Sequence, residues 1–126
     1  MSMSEDRRRW LGQTGEQLAA EHLMRRGFSI VERNFRTRWG ELDIVACDGP
    51  TLIFCEVKTR RGGPSAGDPL ESIRHHKRNQ VRKMAGRWLV ERRDRPRADV
   101  LRFDVIGVTV DAAGRLLKLE HLEGAF

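Results

Sequence analysis

The sequence predicts a single mixed α/β domain, and three features carry that expectation. A chain of 126 residues is enough for one core. A β-branched hairpin sits at its centre, and stripes of apolar residues at helical spacing precede and follow it. The hydrophobic fraction is 39%, with three Trp, five Phe and no Tyr, so the core should be modest.

The first residues, Met1 to Arg9, are polar and include Arg7-Arg8-Arg9. They read as a mobile basic terminus over 1–10, leaving 11–126 as the folded domain. A helix is expected from Leu11 or Thr14 to Arg26, with Thr14-Gly15-Glu16-Gln17 as a capping box and Gly27 as the stop. Its apolar stripe is Leu11, Gly15, Leu18 and His22, flanked by Ala19 and Leu23. His22 on that stripe reads as a packed, hydrogen-bonded side chain. A strand should follow from Phe28 to Phe35, then a turn at Arg36-Thr37-Arg38-Trp39-Gly40. The two Arg around an aromatic suit a sugar-phosphate backbone with one face to stack on, or Trp39 folds back onto the core.

The hairpin spans Gly40 to Arg61, turning at Asp48-Gly49-Pro50-Thr51. Alternation places Glu56 and Lys58 on the face of Leu52 and Phe54. An even-numbered loop, of two residues (Asp48-Gly49) or of four (Asp48 to Thr51), brings Asp43 to that same face, and a loop of four sets it opposite Glu56, with Cβ atoms about 4.5–5.5 Å apart. Two ionised carboxylates at that spacing repel by roughly 3 kcal/mol at an effective dielectric near 20, so a neutralising partner is expected. That partner is either Lys58 or an Arg in an ion-pair cluster, or a divalent cation held by oxygen ligands. Glu41, two residues from Asp43, shares its face and is a further candidate. The same register sends Cys47 and Cys55 to opposite faces, which disfavours a disulfide.

Beyond the hairpin, Gly62, Gly63, Pro64, Gly67 and Pro69 predict an irregular loop over Arg60 to Pro69, placed to cover a bound substrate. A second helix is expected from Leu70 to Arg92, its apolar stripe formed by Leu70, Ile73, Val81, Met84, Ala85 and Trp88. Lys77 falls inside that stripe and either snorkels out or points into a cleft. From Glu71 to Arg97, ten basic residues face three acidic ones, a net +7 against +6 for the whole chain. The basicity is therefore local, and Arg74, Lys77, Arg78 and Arg82 are candidate phosphate contacts. Strands over Leu101 to Val110 and Leu116 to His121 complete the domain. Asp104, inside the first of them, is expected to pair with an Arg, with a role in the site as the other reading.

A pI near 10.3 favours a polyanionic partner. The chain has neither a membrane-length apolar run nor an apolar leader near its start, so a cytoplasmic location is expected.

Five elements also carry a family likeness: Gly15-Glu16, Gly40-Glu41-Leu42-Asp43, Glu56-Val57-Lys58-Thr59-Arg60, Arg102-Phe103-Asp104-Val105, and Glu120-His121 with Ala125-Phe126. In this order they resemble the YraN family of predicted endonucleases, a branch of the PD-(D/E)xK nuclease superfamily similar to archaeal Holliday-junction resolvases. Leu42 stands where the wider superfamily has Pro, as is usual in this branch. The resemblance implies a restriction-endonuclease-like fold and metal-dependent hydrolysis of phosphodiesters in DNA more than RNA, with branched or structured DNA as a substrate class. It implies that Asp43, Glu56, the Val57 carbonyl and Glu16 hold Mg²⁺ or Mn²⁺, and that Lys58 orients the attacking water. Arg36, Arg38, Arg60 and Arg61 would join the helix arginines on nucleic acid. A homodimer is compatible with this reading. The alternative is a nucleic-acid-binding module that keeps the fold with little or no turnover.

Overall fold

A computed structural model describes residues 2–63 and 75–125, with side chains for 5–63 and 79–125. Helix α1 (Ser2–Arg25) is followed by strands β1 (Ser29–Thr37), β2 (Gly40–Cys47) and β3 (Thr51–Arg61). Helix α2 (His75–Glu91), β4 (Val100–Val110) and β5 (Leu116–Leu122) complete the order. The strands form one five-stranded sheet in chain order, antiparallel except where β3 and β4 run parallel. A tight hairpin cannot join parallel strands, and α2 supplies the crossover. This mixed sheet with a helix on each face is consistent with a restriction-endonuclease-like core.

The sheet divides two cores. On one face Ala19, Ala20 and Leu23 of α1 pack on Ile44, Ala46, Ile53, Cys55, Ile106 and Val108. On the other, Val81, Met84, Ala85 and Trp88 of α2 pack on Phe35, Leu42, Val45, Cys47, Leu52 and Phe54. Cys47 and Cys55 are thus buried free thiols on opposite faces, as the register requires. Pairing of Cys47 with Leu52 closes the longer of the two expected loops, Asp48 to Thr51. Within it, Asp48 N donates to the Thr51 carbonyl at 3.1 Å and Thr51 N donates to Asp48 Oδ1 at 3.2 Å.

Two boundaries differ from expectation. Helix α1 begins at Ser2, so the stretch expected to be a mobile terminus is helical and Thr14-Gly15-Glu16-Gln17 lies within the helix rather than capping it. Arg, Leu, Met and Gln all favour helix, and Glu5 suits the positive end of the dipole. Strand β3 extends through Arg61, and Gly62 N still donates to the Val110 carbonyl at 2.8 Å, so Arg60 and Arg61 belong to the sheet and not to the loop. Parallel pairing with β4 along its whole length holds that extension. The rest of the expected flap, and the expected start of the second helix at Leu70 with Arg74, lie outside the described residues.

Two contacts fix how α1 sits. Gly15 faces Thr59 of β3 so closely that a Cβ there would fall 2.6 Å from the Thr59 Cβ. Farther along, His22 Nε2 lies 3.1 Å from His121 Nδ1, and His121 Nε2 lies 2.8 Å from Asp104 Oδ2. Asp104 is fully buried and also accepts both Arg102 nitrogens at 2.9 Å and Gly124 N at 3.0 Å. The expected Asp104–Arg pairing is therefore present and extends to β5 and α1. These bonds hold the Asp104 carboxyl below its ordinary range despite the cost of burial.

Gly15→Ala sets two effects against each other. Better helix propensity is worth up to about 1 kcal/mol, and overpacking against a strand costs about 1–3 kcal/mol or more. Because the overlap is with Cβ of a β-strand rather than with a flexible tip, net destabilisation is expected, measured as a lower urea midpoint. Asp104→Ala should cost about 2–4 kcal/mol, since it leaves the partly buried Arg102 without its carboxylate.

Candidate functional site: a carboxylate cluster at the splayed end of the hairpin

Regular alternation fails in β2 at one place. Leu42 faces the α2 core and Ile44 the α1 core, although they are two residues apart. Across from this point Asn34 adopts φ 57°, a conformation that Asn tolerates better than most residues. Main-chain pairing of β2 with β3 is continuous only from Ile44–Cys55 to Cys47–Leu52. Just beyond it, Asp43 Oδ2 accepts the Val57 N–H at 2.7 Å, so a side chain takes the place of a backbone acceptor. The carboxylate is thereby held where the strands part.

Helix α1 brings Glu16 to this place, because Gly15 allows the helix to approach β3. Glu16, Glu41 and Asp43 each offer an oxygen within 4.8 Å of the others. Oxygen ligands at 2.0–2.6 Å from one cation stand up to about 4–5 Å apart, so the spacing fits a hard divalent ion. Glu41, the further candidate from the sequence, is a full member of the group. Glu56 is outside it, buried at 7% exposure on the α2 face by alternation with Phe54. It still acts on Asp43. Burial pushes the Asp43 carboxyl up to about 8, with the Glu56 charge as the next cause, and Glu16 and Glu41 add smaller contributions against the Val57 hydrogen bond. The Glu16 carboxyl is also raised, first by burial and then by Glu41, with Arg33, Asn34 and Arg36 opposing. Its Oε1 is buried without a hydrogen-bond partner. Among the described residues the ion-pair partners of these acids are only partial neutralisers: Arg33 lies 3.9 Å from Glu16, and Arg36, 80% exposed, lies 3.4 Å from Glu41. Neither Arg33 nor Asn34 was singled out by sequence; the isolated Asn within a strand was the available signal.

Lys58 is exposed, two residues along β3 from Glu56. Arg38 lies over the Trp39 ring at 4.7 Å, and Trp39 stays 37% exposed rather than folding onto the core. Gln80 of α2 donates to the Trp39 carbonyl and ties this turn to the helix. Arg60 Nε is buried and unpartnered, whereas Arg61 is exposed at the strand end. On α2, Arg82 lies over Phe103 at 4.9 Å. Lys77 and Arg78 are in the first turn, where only the backbone is described. Much of the local basicity is internal: Arg92 makes paired bonds to Glu32 at 2.7 and 2.8 Å, Arg87 pairs with Glu91 at 2.6 Å, and Arg95 caps the Leu89 and Arg92 carbonyls. Among the described residues no helix is long and apolar enough to cross a membrane.

The pieces that form this site also place the chain among known proteins. The model of the uncharacterised protein family UPF0102 matches residues 15–108, from the glycine beside Glu16 through most of β4. A UPF0102 protein of Frankia alni is 44% identical over 116 residues, covering 92% of this chain and 93% of its own. One of Geobacter metallireducens is 44% identical over 92% of this chain and 91% of its own, and one of Acidothermus cellulolyticus is 45% identical over the whole of both. With a match of this extent, the chain belongs to the UPF0102 family.

Proposed function

We propose that this protein is a metal-dependent nuclease of the PD-(D/E)xK type, hydrolysing phosphodiester bonds in nucleic acid, DNA in preference to RNA. The observation that carries the reading is the convergence of Glu16, Glu41 and Asp43 oxygens within 4.8 Å. Glu16 Oε1, buried without a hydrogen-bond partner and 3.9 Å from the Arg33 guanidinium, supports it. A fold that gathers like charge in a half-buried place is most simply balanced by a cation. Glu16, Glu41 and Asp43, with Glu56 and the Val57 carbonyl beside them, would hold Mg²⁺ or Mn²⁺, for which an all-oxygen set is suited. Such an ion, when bound, polarises a phosphate and acidifies a water molecule.

The chain's own groups would do the rest. In this reading Lys58, exposed two residues along β3 from Glu56, would meet negative charge growing on the phosphate and help align the attacking water. The Val57 N–H bond fixes the Asp43 carboxylate before substrate arrives. A binding module without turnover is the second reading, favoured by the Arg33–Glu16 and Arg36–Glu41 contacts, which make the cluster partly self-neutralised.

Asp43 makes stability a readout of the site. Its folded pKa of about 8 lies above the ordinary 3.8, so between these values the folded protein keeps a proton that the unfolded chain has released. Stability of the metal-free protein therefore falls as pH rises from about 4 to about 8, and the loss is complete above that. Asp43→Asn removes this loss. At pH 8 without metal the variant should melt at least about 3 °C higher than the wild type, and the gap should close near pH 4. The same substitution should abolish Mn²⁺ binding by calorimetry and cleavage of branched, flapped and single-stranded DNA.

Lys58→Ala should separate binding from chemistry. Mn²⁺ affinity should persist or tighten, because a neighbouring cation is lost, while turnover falls by about 10²–10³. A wild type that binds nucleic acid but takes up no divalent ion would establish the binding module instead.

A further inference from the structure

Two clefts pair an exposed tryptophan with arginine. In one, of about 410 Å³, Trp10 is lined by Arg7, Arg8 and Arg61. In the other, of about 420 Å³, Trp39 stands with Thr37, Arg38, Arg87 and Glu91, the last paired with Arg87. Trp10 is 44% exposed and Trp39 37%, whereas Trp88 is 1% exposed in the core. Exposure of these two rings is therefore selective, and each ring is already fixed. The edge of Trp10 rests on Gly114, whose φ of +84° and missing side chain make room for it: a Cβ there would lie 2.8 Å from the ring. Trp39 is held from above by Arg38 and through its carbonyl by Gln80.

Their placement is ordered. Antiparallel pairing puts the start of β2, next to Trp39, at the same end of the sheet as the finish of β3, next to Arg61. Trp10 lies on α1, over one face, and the Trp39 cleft is closed by Arg87 of α2, over the other. The cluster draws Glu16 from the helix that carries Trp10 and Glu41 from the strand that Trp39 leads into. Glu16 is six residues from Trp10 along α1, about 9 Å at 1.5 Å per residue. Glu41 is two residues along the chain from Trp39, which lies in the turn just before β2, so their Cα atoms are at most about 7 Å apart.

We propose that a single-stranded segment of nucleic acid runs around this end of the sheet, stacking bases on Trp10 and Trp39 and presenting the phosphate between them to the carboxylates. This rests on the nuclease reading and names its substrate class. Base-paired DNA hides its base faces in the stack. An exposed indole with arginines beside it is useful to bases that are already unpaired.

The test is fluorescence anisotropy in EDTA with a labelled oligo-dT, a blunt duplex of equal length and a fork with a dT arm. The wild type should bind the oligo-dT and the fork more tightly than the duplex. Trp10→Leu and Trp39→Leu keep an apolar contact but remove the stacking face, and each should weaken oligo-dT binding about 5- to 150-fold. Trp10→Phe and Trp39→Phe should recover most of that loss, which a merely structural role would not require. Arg7→Gln and Arg61→Gln should each flatten the slope of log K against log[salt] by about 0.7. Equal affinity for dT and duplex, with Leu variants indistinguishable from wild type, would overturn the proposal. Cleavage distinguishes it from the reading beneath it. Metal-dependent cleavage of duplex that ignores both tryptophans would leave the nuclease and remove the single-strand track. Tryptophan-dependent dT binding without cleavage in Mn²⁺ would do the reverse.

Discussion

The hydrogen bond from Val57 N to Asp43 Oδ2 is the constraint on which the site depends. A strand pair that separates leaves backbone donors without partners, and a buried orphan donor costs a fold about 1–3 kcal/mol. Here the donor is satisfied by a carboxylate, which makes the charge part of the sheet's own hydrogen bonding. Removing Asp43 would therefore disturb both the local ladder and the electrostatics, while Asn in its place could still accept the bond. The neighbouring acids are arranged around that fixed group. Glu41 comes from the same strand, Glu56 from the next one, and Glu16 from a helix allowed in by the lack of a side chain at Gly15. The raised Asp43 and Glu16 carboxyls follow from this crowding and from burial together.

Much of the fold was legible because hydrophobic period and turn chemistry agreed. Asp48-Gly49-Pro50-Thr51 gave a four-residue loop, and the loop set the register that opposes Ile44 to Cys55 and Val45 to Phe54. From there the alternation rule extrapolated correctly to the buried cysteines. It gave out at Asp43, because a period of two assumes a regular strand, and Asn34 at φ 57° breaks it on the neighbouring strand. Pattern reading therefore found the acids without finding their grouping: Glu41 ranked behind Glu56, yet it is Glu41 whose oxygen joins those of Glu16 and Asp43. The start of α1 was missed for a different reason. Charged residues carry no apolar stripe, so helix formed by propensity alone looks like a tail.

Charge counted along the chain also differs from charge presented to a partner. Arg92 is bound to Glu32 and lies over Phe35 at 5.1 Å, and Trp88 donates to the same Glu32 at 2.9 Å, so this arginine clamps α2 to β1. Arg95 closes the end of α2, and Arg102 serves Asp104. The net +7 counted from Glu71 to Arg97 thus includes Arg92 and Arg95, which hold the fold together. The basic side chains at the sheet end come from scattered segments: Arg38 and Arg61 were candidates from sequence, whereas Arg7 and Arg8 read as part of a mobile terminus.

The sheet is also a partition, and it has a thiol on each side. Cys47 belongs to the layer under α2 and Cys55 to the layer under α1, where burial pushes its thiol well above the ordinary range. A thiol reagent can reach either one only when the layer above it opens. The two cysteines therefore act as separate clocks for the two halves of the molecule. If α1 and α2 come away from the sheet independently, the sulfurs would be modified at different rates under native conditions; if the domain opens as one cooperative unit, their rates would converge. The chain carries, without any engineering, a means of asking whether the helix that delivers Glu16 is as firmly seated as the helix that closes the crossover.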